Sequence, residues 1–127
     1  MTENDIARLV VDRAFHIHIR LGPGLLESVY ETVLAYELEQ LDMEVARQVP
    51  IPVVYGDLQF EEGFRADLIV NESVIVELKS VEAIERVHKK QLTTYLKLSH
   101  KRLGLLVNFG GELIKNNIVR IVNGLNE

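Results

Sequence analysis

The sequence contains no cysteine and no long apolar run, and each absence excludes a class of protein. Without cysteine the chain can form neither disulfide bonds nor thiolate metal sites, which fits a reducing compartment. The longest apolar stretch, Leu103 to Val107, is far too short to cross a bilayer. The N-terminal residues 1–5 are polar and acidic, unlike the start of a secretory signal peptide. We therefore expect a cytoplasmic protein that makes no membrane contact.

The length and composition predict one folded domain. A chain of 127 residues is long enough for a single hydrophobic core. Its hydrophobic content of 47% is ordinary for a folded soluble protein. We expect one domain that spans residues 1–127.

The charges are distributed unevenly along the chain. The formal net charge is −5, which argues against a protein that simply coats nucleic acid. The segment 79–102 nevertheless carries seven basic residues and two acidic ones, so the remainder of the chain is strongly acidic. Such an asymmetry can steer a polyanion to one face, but a solvated helix face explains it equally well.

Hydrophobic periodicity predicts three helices and five strands. Thr2 and Asp5 resemble a capping box at the start of the first helix. Pro50 and Pro52 lie on one side of the first strand and leave it without two N–H donors, which predicts an edge strand. The order α-α-β-β-β-α-β-β predicts an α/β layer sandwich. The expected helices are 3–20, 25–41 and 84–99, and the expected strands are 45–55, 64–70, 74–79, 103–108 and 118–122. The expected inward-facing residues of the second helix are Leu26, Val29, Val33 and Leu41.

The hairpin around residues 71–73 decides which side chains share a face of the sheet. A three-residue loop makes one face wholly apolar, whereas a two-residue loop would mix polar and apolar side chains on both faces. The other face then holds Asp67 beside Glu77, with Cβ atoms roughly 5 Å apart. Arg65 and Lys79 lie on that same face. The expected apolar pairs are Val70–Val74, Leu68–Val76 and Ala66–Leu78.

Two interpretations of this polar face are equally supported by the hairpin alone. Two carboxylates that are forced together repel each other unless a hard cation such as Mg²⁺ binds between them. Lys79 could then hold an attacking water or stabilise developing negative charge. In the other interpretation, Arg65 and Lys79 neutralise Asp67 and Glu77 as a cross-strand salt-bridge cluster.

Two helices present further polar residues at helical spacing. Gly24, Glu27 and Tyr30 follow one stripe of the second helix at successive i+3 steps. Gln91 and Tyr95 lie one turn apart on the third helix. A shared metal and phosphate site would give these groups partners. Ordinary helix-end preferences and side-chain pairing would also explain them.

The chain resembles the GxxExxY proteins, small members of the PD-(D/E)XK nuclease superfamily. The resemblance spans roughly residues 6–125, and Ala66 stands where the family motif has proline. It implies a nuclease-like αβββαβ core with an extra N-terminal helix. The segments that carry it, in chain order, are 22–30, 65–67, 77–79, 91–95 and 105–109.

The same resemblance implies a role for each residue of the site. Lys79 would be the catalytic lysine, and Asp67, Glu77 and Glu27 would be acids of a site for Mg²⁺ or Mn²⁺. Gln91 and Tyr95 match a Q-x-x-x-Y element that occurs in nuclease domains of recombination helicase-nucleases. The implied metal ligands are Asp67, Glu77, Glu27 and the carbonyl of Leu78.

The leading hypothesis is a phosphodiesterase that cleaves nucleic acid with Mg²⁺ or Mn²⁺, DNA being the expected substrate. The basic third helix would contact the phosphate backbone without reading sequence. One alternative is a nuclease-like module that binds nucleic acid or a protein partner with little or no turnover; another is a structural α/β domain. Assembly as a homodimer stays open. The expected backbone contacts are Arg86, Lys89, Lys90 and Lys97.

Overall fold

Five strands form one mixed sheet whose spatial order follows the chain order, β1-β2-β3-β4-β5. The computed structural model describes residues 1–126. Strands β3 and β4 are parallel and are connected through α3, and the other neighbours are antiparallel. The predicted element order is confirmed, with one additional 3-10 helix before β5. The elements are α1 (Glu3–Leu21), α2 (Glu27–Glu39), β1 (Val45–Tyr55), β2 (Leu58–Val70), β3 (Val74–Lys79), α3 (Arg86–Ser99), β4 (Leu103–Asn108), the 3-10 helix (Ile114–Asn116) and β5 (Ile118–Val122).

The start of α1 has the predicted capping box. The backbone N–H of Asp5 donates to the hydroxyl of Thr2 at 3.1 Å, and the Asp5 carboxylate accepts the Thr2 N–H at 2.9 Å. Each side chain therefore satisfies a backbone donor that the first helical turn leaves free. At the other end, the Gly22 N–H donates to the His18 carbonyl, and Gly22 has a positive φ of 72°. This conformation favours glycine and turns the chain out of the helix.

The inward face of α2 differs from the expected one. The helix begins at Glu27 rather than at residue 25, so Leu26 precedes it as the N-cap residue and is 73% exposed. Val29 and Leu41 are also exposed, and only Val33 packs partly against the core. The side chains that face the core follow an i, i+4, i+8 stripe. The stripe consists of Tyr30, Leu34 and Leu38, and Ala35 is buried beside it.

Helices cover both faces of the sheet because side chains along each strand alternate in direction. One apolar cluster joins α1 and α2 to alternate residues of β3, among them Val76 and Leu78. The other joins α3 to the opposite face, where Ile75 packs with Leu92 and Leu96. The polar residues on the Ile75 face of β3 therefore point toward α3.

The three-residue hairpin loop between β2 and β3 is confirmed. The paired residues are Val70–Val74, Ile69–Ile75 and Leu68–Val76. Regular pairing stops there, and the expected Ala66–Leu78 contact was wrong. Ala66 packs in the α3 cluster, whereas Leu78 packs in the cluster under α1 and α2. Leu68 and Ala66 therefore lie on opposite faces of the sheet, so the regular alternation of side chains along β2 is interrupted at Asp67.

The predicted edge strand is confirmed, since β1 is the first strand in the sheet order and lies next to β2. The turn at residues 56–57 connects two strands that are much longer than β3, so the β1–β2 hairpin projects beyond it. None of the helices in residues 1–126 is both long enough and apolar enough to span a membrane.

Candidate active site

A cavity of about 140 Å³ lies between α3 and the polar end of the sheet. Its walls come from β2, β3, β4, α3 and the first residue of α2. The structure brings together at this cavity all six residues that the sequence identified as candidate catalytic groups. They are Glu27, Asp67, Glu77, Lys79, Gln91 and Tyr95. The remaining lining residues are Arg65, His88, Leu92 and Leu106.

Asp67 and Glu77 are linked through backbone groups as well as through their proximity. The backbone N–H of Asp67 donates to Oε2 of Glu77 at 3.3 Å. The backbone N–H of Leu78 donates to Oδ2 of Asp67 at 2.8 Å. Leu78 thus contacts the site through its N–H. That its carbonyl binds the metal stays a prediction. These hydrogen bonds replace the strand pairing that ends at Leu68–Val76.

Glu77 is a buried acid with 7% of its surface exposed. Burial, followed by the hydrogen bond with Asp67 and the negative charge of Asp67, raises the pKa of Glu77 to about 9. Its Oε1 is the single buried side-chain nitrogen or oxygen in the described chain that lacks a hydrogen-bond partner. The carboxyl is therefore protonated at neutral pH, and one of its oxygens is left without a protein donor.

The salt-bridge interpretation of the polar face was wrong. Arg65 pairs with Glu62 on its own strand rather than with the site carboxylates. Lys79 is half-buried beside the cavity, and within residues 1–126 no ion pair joins it to Asp67 or Glu77. The lysine thus lines the same cavity as the two acids without forming an ion pair with either of them.

The α3 residues form the wall opposite the acids. The ring of Tyr95 stacks on Phe64 with a centroid distance of 4.0 Å and an interplanar angle of 1°. Burial, followed by the electrostatic effect of the neighbouring Glu77 and Asp67 carboxyl groups, raises the pKa of Tyr95, so its hydroxyl remains a proton donor. Gln91 lies one turn away and is exposed to solvent at the mouth of the cavity.

The two motif residues of α2 take different directions. Glu27, in the first turn, lines the cavity. Tyr30 is fully buried and stacks on Phe109 at 4.4 Å. Its hydroxyl donates to the Gly22 carbonyl at 2.6 Å and accepts the Leu25 N–H at 3.1 Å. Tyr30 therefore fixes the loop that leads into α2 and is not part of the cavity, although the i+3 spacing placed it beside Glu27.

A buried asparagine that the sequence reasoning did not assign fixes the chain after Lys79. Asn108 is fully buried at the end of β4, and its amide accepts the Val81 N–H at 3.0 Å and donates to the Val81 carbonyl at 2.9 Å. Gly110 packs so closely on Val81 that a Cβ would lie 2.3 Å from the Val81 carbonyl oxygen. The available signal in the sequence was a polar residue at the end of an otherwise apolar strand.

The chemistry of the two acids fits a hard divalent cation. Mg²⁺ is commonly held by one or two carboxylates, with water and substrate phosphate in the remaining positions. Asp67 and Glu77 provide such a pair, and the unpartnered Oε1 of Glu77 is an available oxygen. No cluster of three or more His, Asp or Glu side chains in residues 1–126 has metal-binding geometry. Glu27 as a third ligand therefore stays a prediction.

The basic residues expected to contact nucleic acid are exposed on α3, the helix that forms one wall of the cavity. None of them lines the cavity. They are Arg86, Lys89, Lys90 and Lys97.

Comparison with known proteins identifies the family. The family model for the PD-(D/E)XK nuclease superfamily matches residues 4–121, a range that contains every residue lining the cavity. No curated protein and no solved structure matches the chain. The mixed sheet of five strands with three helices agrees with the fold expected from the sequence, a nuclease-like αβββαβ core preceded by an extra helix. The chain therefore belongs to the PD-(D/E)XK nuclease superfamily.

Proposed function

We propose that this protein hydrolyses phosphodiester bonds of nucleic acid with the help of Mg²⁺ or Mn²⁺, and that DNA is its substrate. The observation that carries the proposal is the placement of Asp67, Glu77 and Lys79 around one cavity, with a buried oxygen of Glu77 left unpartnered. Within the superfamily, we assign the chain to the GxxExxY type because of the motif at residues 22–30. We further propose that residues 1–127 form one cytoplasmic nuclease domain.

Asp67 and Glu77 would hold the divalent cation, with Glu27 and the Leu78 carbonyl as additional ligands. The cation would supply positive charge that polarises a substrate phosphate and lowers the pKa of a bound water. Because Glu77 is protonated at neutral pH without metal, it must release this proton when it becomes a ligand. Metal binding should therefore become tighter as the pH rises.

Lys79 would provide the catalytic positive charge of the protein itself. Its amine lies on the face that carries both acids, and no ion pair in the described chain occupies it. A free ammonium at this place can hydrogen-bond an attacking water and stabilise negative charge that develops on the phosphoryl oxygens. Being cationic, it would not bind the metal.

Gln91 and Tyr95 would orient the substrate from the α3 wall. Stacking on Phe64 restricts the Tyr95 ring, so its hydroxyl has a defined position at the cavity. Its raised pKa keeps the proton available for a hydrogen bond to a phosphate oxygen. The amide of Gln91 can donate to the same phosphate or hold the Lys79 amine.

The exposed bases of α3 would attract the nucleic-acid backbone. The whole chain is acidic, with a formal charge of −5, so binding depends on this local basic surface and not on net charge. Contacts of this kind are made to phosphates and carry no sequence information. The substrate would therefore be held near the cavity without base-specific recognition.

A second candidate function is a binding module with the same fold and little turnover. The observation that favours it is the lack of a three-acid metal cluster in residues 1–126. In that case the basic face of α3 would still bind nucleic acid, or the protein would bind a protein partner. Cleavage would be absent or very slow.

A cleavage assay distinguishes the two candidates. The protein would be incubated with labelled single-stranded, double-stranded and branched DNA and with RNA, in the presence of Mg²⁺, Mn²⁺ or a chelator. Hydrolysis that needs a divalent ion and is lost in Asp67→Asn supports the nuclease. The matched control is Asp57→Asn, which changes an exposed acid in the β1–β2 turn. Salt-sensitive binding without cleavage of any substrate would support the binding module instead.

A further inference from the structure

Gln48 has a strained backbone conformation next to the candidate site. Its φ is +51°, in the left-handed region that residues other than glycine seldom adopt. The pairing of its neighbours in β1 with β2 places it directly across from Asp67. Backbone strain of this kind persists only where surrounding interactions hold it, and it often occurs at functional sites.

The side chain of Gln48 connects two acids. Its Nε2 donates to Oε1 of Glu31 and also lies 3.4 Å from Oδ1 of Asp67. A carboxamide nitrogen has two N–H donors, so each carboxylate can receive one. The left-handed backbone thus places one amide group between an acid of α2 and an acid of the cavity.

Glu31 is itself firmly held, which makes it a suitable anchor for this amide. It is 7% exposed, and its Oε2 accepts two hydrogen bonds from Arg47, at 3.1 Å and 3.0 Å. Arg47 also donates to the Thr32 hydroxyl at 2.8 Å. Gln48 itself is exposed to solvent, and its amide is connected to α2 through the hydrogen bond to Glu31.

The second oxygen of Asp67 is also held. Its Oδ2 accepts the Leu78 N–H at 2.8 Å, whereas Gln48 approaches Oδ1. Both oxygens of one carboxylate thus have a protein donor, and the plane of the group is defined. Carboxylates that bind metals are commonly oriented in this way by hydrogen bonds from residues outside the coordination shell.

We propose that Gln48, anchored by Glu31, is a positioning residue that orients the Asp67 carboxylate for the divalent cation. The inference rests on the proposed function, because it concerns the same site. Gln48 does not touch the reacting atoms. Its role is to orient the carboxylate of Asp67. Through Gln48 and Glu31, β1 and α2 contribute to the site, although neither residue lines the cavity.

The first test removes the amide and keeps the length of the side chain. In Gln48→Met, the Mn²⁺ affinity measured by isothermal titration calorimetry should fall by roughly 10- to 100-fold, the usual effect of losing such an outer contact. The matched control is Gln59→Met, at an exposed position of β2 in the projecting hairpin, and it should bind Mn²⁺ like the parent protein. Parent-like Mn²⁺ affinity of Gln48→Met would overturn the inference.

The second test separates the amide from the backbone strain. Gln48→Gly adopts a positive φ without cost, so its metal-free melting temperature should not fall for reasons of strain. Its Mn²⁺ affinity should nevertheless fall as in Gln48→Met, because the amide is missing. A Gly variant with full Mn²⁺ affinity would show a purely structural role and overturn the inference. A parent protein that binds no Mn²⁺ would overturn the proposed function, and this inference with it.

Discussion

The backbone N–H of Asp67 donates to the carboxyl group of Glu77 across 3.3 Å at the point where β2 and β3 cease to pair regularly. The next N–H along β3, that of Leu78, donates to the Asp67 carboxylate. The two acids therefore occupy positions that strand hydrogen bonds would otherwise take. Neither acid has an ion-pair partner in residues 1–126, so their carboxyl oxygens remain available to a cation.

The raised pKa of Glu77 predicts an unusual dependence of stability on pH. The pKa is about 9 in the folded protein, against an ordinary value of 4.5. The folded state thus binds this proton more tightly than the unfolded state does. The stabilising contribution of protonated Glu77 to the free energy of unfolding is therefore fully present below pH 4.5 and is lost as the pH rises through about 9. Glu77→Gln cannot ionise and should not show this loss.

Urea denaturation of the metal-free parent and of Glu77→Gln at several pH values checks this prediction. The free energy of unfolding of the variant should increase relative to that of the parent as the pH rises. Taking the difference between the two proteins removes the effects of all other titrating groups. A difference that stays constant across the range would contradict the assigned pKa.

Divalent metal should stabilise the folded protein. An ion that binds only the folded state raises the melting temperature by mass action, so millimolar Mg²⁺ or Mn²⁺ should shift the thermal transition upward. Asp67→Asn should abolish most of this shift. Without metal, that variant should be as stable as the parent, since an amide oxygen can still accept the Leu78 N–H. If neither Mg²⁺ nor Mn²⁺ changed the melting temperature of the parent protein, the proposed metal site would be refuted.

Removal of the Lys79 amine should affect chemistry more than binding. Loss of one preorganised contact to developing charge typically reduces the rate by about a hundred- to a thousandfold. Lys79→Ala should therefore lose most cleavage while it keeps Mn²⁺ affinity and most nucleic-acid affinity. Lys115→Ala, at an exposed position of the 3-10 helix, is the control. Single-turnover cleavage at the parent rate in Lys79→Ala would refute the assigned role.

Charge reversal on α3 should weaken nucleic-acid binding and its salt dependence. Lys89→Glu combined with Lys90→Glu removes two exposed bases of α3 and adds two acids. Fewer phosphate contacts release fewer counterions, so the plot of log affinity against log salt should become less steep. The control is the combination of Arg8→Glu and Lys115→Glu, which changes the net charge by the same amount but at positions outside α3. Equal losses in both double variants would argue against a binding face on α3.

Tyr30 should matter for stability and not for the chemical step. Tyr30→Phe keeps the ring stacked on Phe109 but removes the hydroxyl that bonds Gly22 and Leu25. Two partly buried hydrogen bonds to the backbone are then lost, which should lower the free energy of unfolding by about 1–3 kcal/mol in urea titrations. Tyr36→Phe, at a side chain that is 60% exposed, should change it little. A Tyr30→Phe protein as stable as the parent would contradict the loop-fixing role.

Local sequence patterns were sufficient for most of the fold and for the composition of the site. Strands β3, β4 and β5 have the predicted bounds because each is a mainly apolar segment with a clear interruption at both ends. The odd hairpin loop follows from two-residue periodicity, since a shift of one residue would bury charges. That register places Asp67, Glu77 and Lys79 on the same side of the sheet as α3, where the cavity lies.

The tertiary structure alone decided which interactions these residues make. Hydrophobic spacing did not reveal that α2 turns Tyr30, and not Leu26, toward the core, because Leu26 precedes the helix and the buried face of α2 depends on its packing against α1 and the sheet. The pKa of Glu77 depends on burial under α3, and the link between Gln48 and Asp67 depends on a single left-handed residue in β1. Spacing along the chain determines which face a side chain occupies, but solvent exclusion and hydrogen bonds between distant segments determine its charge and its orientation.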